Sequence, residues 1–549
     1  MNTSNKIIIV GGVAGGASAA ARARRVDENA EIHVFERGPY ISFANCGLPY
    51  FIGGEIESRE RLIIMTPQKM WERSRVHAHI NHEVLSIDRA SKTILVKGPA
   101  GDRTSVPYDK LILSQGARPI VPPIPGANQE NVFTLRDIQD MDRIVAFLEK
   151  NKPRRAVVIG GGFIGLEMAE AFYHRGLRVA VIEKFPHILP LLDDDMAAQL
   201  QKEVQRADFE IKCGAEAVRF QPDVVELADG SSTEADLILL SIGVRAEVEL
   251  ARAAGLEIGV TGGIVTNARL ESSDSNIYAV GDAAEVTHAL TGARARIALA
   301  GPANRQGRIA GSNAAGDSKT YPGAMGTSIV RAFHMAVAFT GLNSTQAAKA
   351  GFTFFTSMTR DNNHAAYYPG AKPIVTKIIV EEATGRLLGA QVIGESGVDK
   401  RIDVLTTAIT ARMTIFDLEN LDLAYSPPFN SANDPINVAG FVASHILRGE
   451  VATIPAETWK PNGEFLIDVR DPDELKQFGK IRNAVNIPLP QLRDRMGELP
   501  RDRHILTYCQ KGQRGYLAAC ALRGAGFRDV ANLRGGFLQF QFNNGVIVH

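Results

Sequence analysis

Two cysteines stand at positions where sulfur chemistry is expected. Cys46 follows a predicted strand, Glu31–Glu36, and a thiol that reacts there needs a depressed pKa and exposure to a substrate. Cys509 ends a later predicted strand and opens the loop Cys509–Arg514, with a predicted helix beyond it. The N–H groups of that loop, the helix N-terminus and Arg514 all favour a thiolate at Cys509. They would equally hold the terminal sulfur of a persulfide.

The other sulfur and imidazole groups indicate no further site. Cys213 lies in a strand-like segment and Cys520 in an alanine-rich helix, and we expect both to be structural. The twelve histidines show no metal-ligand spacing with cysteines or acids, so we expect no bound metal. The acidic run Asp193–Asp195 is expected to cap a helix.

Two glycine turns each lie between a predicted strand and a predicted helix. The first glycine turn is Gly11-Gly-Val-Ala-Gly-Gly16, and the second is Gly160-Gly-Gly-Phe-Ile-Gly165. Such a turn lets the backbone approach a pyrophosphate, and the helix that follows contributes N–H groups and a positive dipole. An acid ends the next strand in each case, Glu36 or Glu183, where a ribose hydroxyl would bind. The sequence therefore predicts two dinucleotide sites.

The two turns differ in one position. The second has all three glycines of the G-x-G-x-x-G pattern, whereas the first has Val13 in place of the middle glycine. A carboxylate at Glu183 would accept a hydrogen bond from a free 2′-hydroxyl and repel a 2′-phosphate. The second site is therefore expected to prefer NADH over NADPH.

Length and composition limit the classes of protein. The chain has 549 residues, which suggests three to four domains. Its 61 basic residues equal its 61 acidic residues, so no basic excess points to a nucleic-acid partner. No run is long and apolar enough for a membrane span, and glycines interrupt the signal-peptide-like stretch Ile7–Ala21. Only four cysteines are present, which favours a reducing compartment and a cytoplasmic location.

Two further segments carry a family resemblance. Tyr108-Asp-Lys-Leu-Ile-Leu-Ser-Gln-Gly-Ala-Arg-Pro119 and the stretch ending Ile277-Tyr-Ala-Val-Gly-Asp282 resemble the pyridine nucleotide–disulfide reductase family. The resemblance implies FAD at the first site and NAD(P)H at the second, with Asp282 on the ribityl chain and Phe163 covering the flavin. The residues implied for FAD are Gly11, Gly12, Ala14, Gly15, Glu36, Arg37, Asn45, Ser114, Gly116, Asp282 and Ala300. Those implied for NAD are Gly160, Gly162, Phe163, Ile164, Gly165, Glu183 and Gly243.

The cysteine motif narrows the resemblance. Members with a redox disulfide carry Cys-x4-Cys, but Phe51 stands five residues after Cys46, so one cysteine acts alone. Single-cysteine members that reduce oxygen or peroxide usually carry a histidine in the first turn, where this chain has Ala14. Ser42-Phe-Ala-Asn-Cys-Gly-Leu-Pro-Tyr50 resembles the coenzyme A disulfide reductases instead. This implies coenzyme A contacts from Ser18, Arg22, Arg25, Ser42, Asn45, Asn304 and Arg305, with the two arginines on one helical face for its phosphates.

Two tyrosines also follow from that subfamily. The resemblance implies a homodimer in which Tyr368 and Tyr425 act across the interface on a small thiol or persulfide substrate. A phenol there could donate a proton to a leaving thiolate. Core packing is the other interpretation of each tyrosine.

The C-terminal ninety or so residues resemble a rhodanese domain. The matching segments are Phe465–Arg470, Ala484–Pro488 and Ile505–Cys509, with Cys509 and Arg514 as the implied catalytic residues. Phosphatases with a Cys-x5-Arg loop are the alternative, but this loop is Cys-x4-Arg, which suits a sulfur atom better than a phosphate. We therefore expect a sulfurtransferase.

Together these features predict an α/β protein with two Rossmann-like domains for FAD and NAD, an α+β dimerisation domain and a C-terminal α/β rhodanese domain. The expected boundaries are 1–117 and 245–320 for the FAD domain, 118–244 for the NAD(H) domain, 321–448 for dimerisation, 449–460 for a linker and 461–549 for the rhodanese-like domain. The expected activity is NADH-dependent reduction of coenzyme A persulfide, polysulfide or coenzyme A disulfide at Cys46. An NADH oxidase or peroxidase and a sulfur-relay carrier with little turnover are the alternatives.

Overall fold

The computed structural model describes residues 5–205, 209–542 and 547–548. Its described residues form two compact units. One unit runs to Ile188 and resumes from Phe209 to Gly326, and the other combines Leu189–Gln205 with the chain from Thr327 onward.

A five-stranded parallel sheet forms the centre of the first unit. Its strands in spatial order are Ile277–Ala279, Lys110–Leu113, Lys6–Val10, Glu31–Glu36 and His77–Ile80. The apolar run Ile7–Ile9 is fully buried, as expected for the central strand of a parallel sheet that is covered on both faces. The helix after the first glycine turn spans Ala14–Val26 and begins inside that turn.

The second parallel sheet repeats this arrangement. Its spatial order is Val132–Phe133, Leu237–Leu240, Arg155–Ile159, Arg178–Glu183 and Phe209–Cys213, and the helix Phe163–His174 follows the second glycine turn. The two predicted β-α-β units are thus confirmed. The other helices of this unit are Leu48–Gly53, Pro67–Ser74, Ile138–Asn151, Glu249–Ala253 and Ala300–Ala314.

Small sheets complete the first unit, and their strands pair antiparallel except that Ile264–Val265 runs parallel to Ala284–Thr287. Their strands are Ser42–Phe43 with Ile63–Met65; Glu83–Asp88 with Thr93–Lys97 and Arg103–Pro107; Ala117–Pro119 with Val244–Ala246; Ala217–Phe220 with Val224–Leu227 and Ser232–Glu234; and Ile264–Val265 with Ala284–Thr287 and Arg294–Ala295.

An antiparallel sheet organises the first part of the second unit. Its spatial order is Ser328–Ala332, Met335–Gly341, Leu387–Gly394, Pro373–Glu381 and Phe354–Asn362. The helices here are Asp194–Val204, Ser344–Lys349, Val398–Thr410, Ile415–Glu419 and Pro435–Leu447. This is the α+β pattern expected from the sequence.

A parallel sheet organises the C-terminal part. Its spatial order is Ala452–Pro455, Val530–Arg534, Ile505–Tyr508, Phe465–Asp468 and Val485–Asn486, and the short strands Lys480–Ile481 and Ile547–Val548 pair antiparallel. Its helices are Pro472–Phe478, Leu489–Leu492, Gln513–Gly524 and Gly536–Phe542. The edge strand Ala452–Pro455 lies in the segment expected to be a linker. Across the described residues, no helix has the length and apolarity that crossing a membrane would require.

Candidate functional site

The first glycine turn is closed by tight backbone contacts. A Cβ on Gly16 would lie 1.9 Å from the carbonyl oxygen of Gly11, so only glycine lets the helix start so close to the turn. The Glu36 carboxylate accepts a hydrogen bond from the Gly12 amide at 3.0 Å and another from the Gly38 amide at 2.9 Å. The acid at the strand end is therefore fixed against the turn.

The second glycine turn has the same geometry. A Cβ on Gly165 would lie 1.9 Å from the Gly160 oxygen, and Glu183 accepts from the Gly161 amide at 2.7 Å and from the Phe185 amide at 2.8 Å. By contrast, a Cβ on Gly162 would meet no atom within 4 Å. The middle position is open on its protein side, which explains how the first turn tolerates Val13.

Buried polar groups beside the first turn fit a large polar cofactor such as FAD. Arg296 Nε and Nη1 and Gln115 Oε1 are buried and have no hydrogen-bond partner among the described residues. Burial raises the pKa of Asp282, and the positive charges of Arg296 and Arg136 oppose that rise. Unsatisfied buried donors are costly, so this region suits a ligand rich in oxygen and nitrogen acceptors.

The other residues implied for the two cofactors lie around these turns. Ser114 follows the strand Lys110–Leu113, and its hydroxyl would meet a Cβ on Gly15 at 2.8 Å. Arg37 pairs with Glu247 at 2.8 Å. Gly116 and Gly243 have positive φ, Ala300 opens the helix Ala300–Ala314, and Ile164 is exposed at the start of the helix Phe163–His174.

Cys46 lies in a single helical turn, Asn45–Gly47, that leads into the helix Leu48–Gly53. The Cys46 residue is exposed and forms no disulfide, as a thiol that reacts with a substrate would require. The sequence led us to expect a depressed pKa at Cys46, and the structure indicates the opposite direction. Partial burial of the sulfur, together with the negative charges of Glu167 and Asp282, raises the pKa of Cys46. The protein chain alone therefore disfavours the thiolate form of Cys46.

Sequence reasoning missed two residues close to this cysteine. The Tyr50 hydroxyl donates to Glu167 Oε1 at 3.0 Å, which joins the helix Leu48–Gly53 to the helix Phe163–His174. Packing is close there, because a Cβ on Gly53 would lie 3.2 Å from Ala171 Cα. Glu167 is one helical turn after Phe163, and that spacing is the signal that could have found it.

Residues implied for coenzyme A lie on two packed helices, Ala14–Val26 and Ala300–Ala314. A Cβ on Gly307 would lie 2.1 Å from the Gly15 oxygen, so the helices approach closely. Ser18 hydrogen bonds to Asn304 across this contact.

Arg22 and Arg25, on the helix Ala14–Val26, contact different groups and do not converge on one site. Arg22 Nε donates to the Ser312 hydroxyl at 2.7 Å, whereas Arg25 Nε donates to its own helix at Ala21. Arg305 is exposed one helical turn after Gly301, and Ser42 is buried near Cys46.

The tyrosines of the second unit form a hydroxyl pair. Tyr425 Oη lies 2.9 Å from Tyr367 Oη, and both side chains are exposed. Tyr368, the neighbour implied by the resemblance, packs edge-on against the His364 ring instead. The structure thus brings Tyr425 together with Tyr367 and leaves Tyr368 outside the pair.

The C-terminal cysteine loop, Cys509–Arg514, places a backbone amide against the sulfur of Cys509. The Gly512 amide donates to Cys509 Sγ at 3.2 Å, and Gly512 has a φ of +109°. Arg514 is held by Glu474 through two hydrogen bonds of 2.7 Å, and this pairing raises its pKa further. The loop can therefore present amide donors to a negatively charged sulfur, with a permanently charged arginine close by.

One group of side chains could hold a metal ion. Glu55, Glu170 and His174 each place one ligand atom within 4.8 Å of the others, and two of these residues are exposed. The expectation of no metal stays a prediction.

Three family models match the chain. The pyridine nucleotide-disulphide oxidoreductase model covers residues 5–307, its dimerisation domain covers 327–434, and the rhodanese-like domain covers 454–543.

Individual proteins show the same likeness. The chain is 36% identical over 80% of its length to the NAD(P)H coenzyme A polysulfide/persulfide reductase of Pyrococcus horikoshii, covering 98% of that protein. The structure of reduced CoADR-RHD from Bacillus anthracis is 44% identical, covers 99% of both chains and has a TM-score of 0.97. That of an NAD-dependent persulfide reductase from A. fulgidus is 35% identical, with a TM-score of 0.92, over 97% of this chain and 99% of that one.

Proposed function

The chain belongs to the pyridine nucleotide-disulphide oxidoreductase family, and on that basis we propose that it uses NADH to reduce coenzyme A persulfide, polysulfide or coenzyme A disulfide. Cys46 is the proposed reactive thiol. The C-terminal domain is proposed to act as a sulfurtransferase through Cys509.

The observation that carries this proposal is that one chain contains two free cysteines in settings suited to sulfur chemistry. Cys46 is exposed without a disulfide partner, and Cys509 lies in a loop whose amide donates to its sulfur. A persulfide reductase from A. fulgidus matches 97% of this chain, and the rhodanese-like domain model spans that loop. The fusion favours a persulfide or polysulfide over plain coenzyme A disulfide as the substrate.

The chain's own groups suit both nucleotides of the family, FAD and NAD(P)H. The first glycine turn, Glu36 and Asp282 would hold FAD, which when bound would carry the electron pair from NADH to the sulfur site. The second turn would hold NADH. Glu183 is buried and fixed by two amides, so a 2′-phosphate would meet a carboxylate that cannot turn away. This supports a preference for NADH over NADPH.

The proposed sulfur step begins with attack of the Cys46 thiolate on the outer sulfur of coenzyme A persulfide. A sulfur–sulfur bond forms at Cys46 as the bond to coenzyme A breaks, and the coenzyme A thiolate leaves and takes a proton. Reduction of the Cys46 persulfide by two electrons and protonation then release hydrogen sulfide and restore the thiol. The sum is coenzyme A persulfide, NADH and a proton giving coenzyme A, hydrogen sulfide and NAD⁺.

The assembly is proposed to be a cytoplasmic homodimer. The matched dimerisation domain supports the dimer, in which Tyr367 or Tyr368 and Tyr425 would serve the substrate site of the partner subunit. All four cysteines are unpaired, which supports a reducing compartment.

Parallel assays of NADH oxidation by the purified flavoprotein test this proposal. Coenzyme A persulfide, polysulfide and coenzyme A disulfide are compared under anaerobic conditions, and hydrogen sulfide is measured. We expect one hydrogen sulfide released per NADH with the persulfide. Oxidation of NADH only when oxygen or peroxide is supplied would show an oxidase or peroxidase instead.

A further inference from the structure

We propose that Arg401 is the positioning residue for the two tyrosine segments, which we define as 363–372 and 424–431. This inference rests on the proposed reduction of a coenzyme A persulfide and concerns how the tyrosines serve it. Arg401 lies in the helix Val398–Thr410, far in sequence from both segments, and its side chain is fully buried.

The Arg401 guanidinium contacts both segments at once. Nη2 donates to the Asn363 carbonyl at 2.8 Å and to Asn430 Oδ1 at 2.9 Å. The same nitrogen lies 3.0 Å from the buried Asp434 carboxylate, which balances its charge. One planar group therefore joins the start of the first segment to the end of the second.

Asn430 carries this connection toward Tyr425. Its Nδ2 donates to the Ala424 carbonyl at 3.0 Å, and its carbonyl accepts from the Ala365 amide at 3.1 Å. The Tyr368 amide in turn donates to the Ala365 carbonyl at 2.9 Å. These bonds set the register of one segment against the other.

The tyrosine hydroxyls depend on this register. Tyr367 is 75% exposed and Tyr425 is 49% exposed, so side-chain packing holds neither ring firmly. Their hydroxyls still lie 2.9 Å apart. Because a shift of one ångström between the segments would break that contact, the backbone bonds from Arg401 and Asn430 decide where the hydroxyls stand.

The helix start is shaped to let Arg401 reach this place. Gly397 has a φ of +75°, and a Cβ there would lie 2.4 Å from Arg401 Nη1. Arg401 Nη1 also donates to the Gly397 carbonyl at 3.3 Å. A lysine could not fully replace the arginine, since its single nitrogen would lose the Nη1 contact with Gly397 and the Nε contact with Asp434.

The test compares Arg401→Lys, Asn430→Ala and Tyr425→Phe with a matched control, Lys400→Gln. Lys400 is the neighbouring cation and lies 3.6 Å from the same carboxylate of Asp434, but among the described residues it makes no hydrogen bond or ion pair with either segment. For each variant we measure kcat and KM for coenzyme A persulfide across pH. Bleaching of the flavin by NADH and thiosulfate sulfurtransfer at Cys509 are measured alongside.

We expect Arg401→Lys to lower the reductase kcat at least about tenfold and to change its pH profile as Tyr425→Phe does. Flavin bleaching and sulfurtransfer should stay at the control's level, and the double variant with Tyr425→Phe should fall no further. Asn430→Ala should show the same pattern if Arg401→Lys does not fold. Wild-type kcat and pH profile in both variants would overturn the inference, as would additive losses in the double variant. A wild-type enzyme inactive on the persulfide would instead overturn the proposed function.

Discussion

At the scale of single residues, the thiol of Cys46 is disfavoured as a thiolate by its own surroundings. Burial comes first, and the Glu167 and Asp282 carboxylates add to it. Of these two carboxylates, Glu167 is the one that is not among the residues implied for FAD, so it can be replaced without changing that site. Its charge lies on a helix that the Tyr50 hydroxyl ties to the segment of Cys46.

Glu167→Gln should lower the pKa of Cys46, because it removes a negative charge that opposes the thiolate. At pH 7.5 the larger thiolate fraction should raise the alkylation rate of Cys46 by iodoacetamide severalfold. The rate is measured by mass spectrometry of the Cys46 peptide. Glu55→Gln, an exposed acid of the same segment that does not act on Cys46, should leave the rate unchanged. A slower rate in Glu167→Gln would contradict this account.

Glu474 makes the two hydrogen bonds that hold the arginine of the C-terminal cysteine loop, and Asp471 lies 3.6 Å from the same arginine. Glu474→Gln removes one of the two charge-assisted hydrogen bonds that orient Arg514. We expect kcat/KM for thiosulfate to fall about tenfold, since the guanidinium would no longer be held toward the loop. Asp473→Asn is the matched control, because Asp473 pairs only with exposed Lys476. Equal activity of the two variants would show that Arg514 needs no such support.

Residue roles were only partly predictable from the sequence. Cys46 and Cys509 were identified because each stands in a short local motif. That Tyr367 rather than Tyr368 lies beside Tyr425 was not predictable, because the two tyrosine segments are far apart in sequence.

At the scale of elements, the glycine turns show what local sequence determines well. Strand, turn, helix and terminal acid follow one another within each unit, so both were predicted from their order alone. The run Asp193–Asp195 shows the opposite. It was expected to cap a helix, and Asp193 does hold the N-cap position, although its side chain makes no hydrogen bond to the first turn. The carboxylates of Asp193 and Asp195 instead form ion pairs with Lys377, which lies 182 residues from Asp195 in sequence.

Lys377→Met should destabilise the second unit strongly. Lys377 is 5% exposed between Asp193 at 2.8 Å and Asp195 at 2.7 Å, so its loss leaves two buried charges unpaired. We expect the free energy of unfolding to fall by about 3–5 kcal/mol. Denaturant unfolding followed by circular dichroism measures this. Lys372→Met, which removes an exposed pair with Glu395, should cost less than about 1 kcal/mol. Similar losses in both variants would contradict the assigned role.

Two half-buried histidines on neighbouring strands, His33 and His79, make the first parallel sheet sensitive to acid. They hydrogen bond at 2.9 Å, the His77 ring stacks on His33, and the His82 ring packs edge-on against His79, with Glu31 and Lys6 nearby. Burial, reinforced by the neighbouring histidines, lowers the pKa of His79 to about 4, and burial also lowers that of His33.

In the unfolded chain, His33 and His79 bind protons below the ordinary histidine pKa of about 6.5, whereas in the folded chain their lowered pKa values disfavour protonation. The free energy of unfolding should therefore fall as the pH is lowered from 6.5 toward 4. We expect the loss to be on the order of 1 kcal/mol after solvent screening of the half-buried rings. His79→Phe should lose less thermal stability than wild type between pH 7.5 and pH 5. A pH dependence identical to wild type would contradict the assignment.

At the scale of the whole molecule, the two reactive cysteines belong to different compact units. Cys46 lies in the unit with both glycine turns, and Cys509 lies in the unit that contains the antiparallel sheet and the tyrosine segments. The order of the nucleotide and rhodanese-like domains was predictable because the glycine turns and the C-terminal cysteine loop are local motifs. The packing of the helix Asp194–Val204 with the second unit was not, because it rests on the distant contacts of Lys377.

The central claim is that reduction occurs at Cys46 and sulfurtransfer at Cys509. Anaerobic NADH oxidation with coenzyme A persulfide, measured for wild type, Cys46→Ser and Cys509→Ser, tests it most directly. We expect Cys46→Ser to abolish NADH oxidation and hydrogen sulfide release. Cys509→Ser should retain both while losing thiosulfate sulfurtransfer. Full reductase activity in Cys46→Ser would contradict the account.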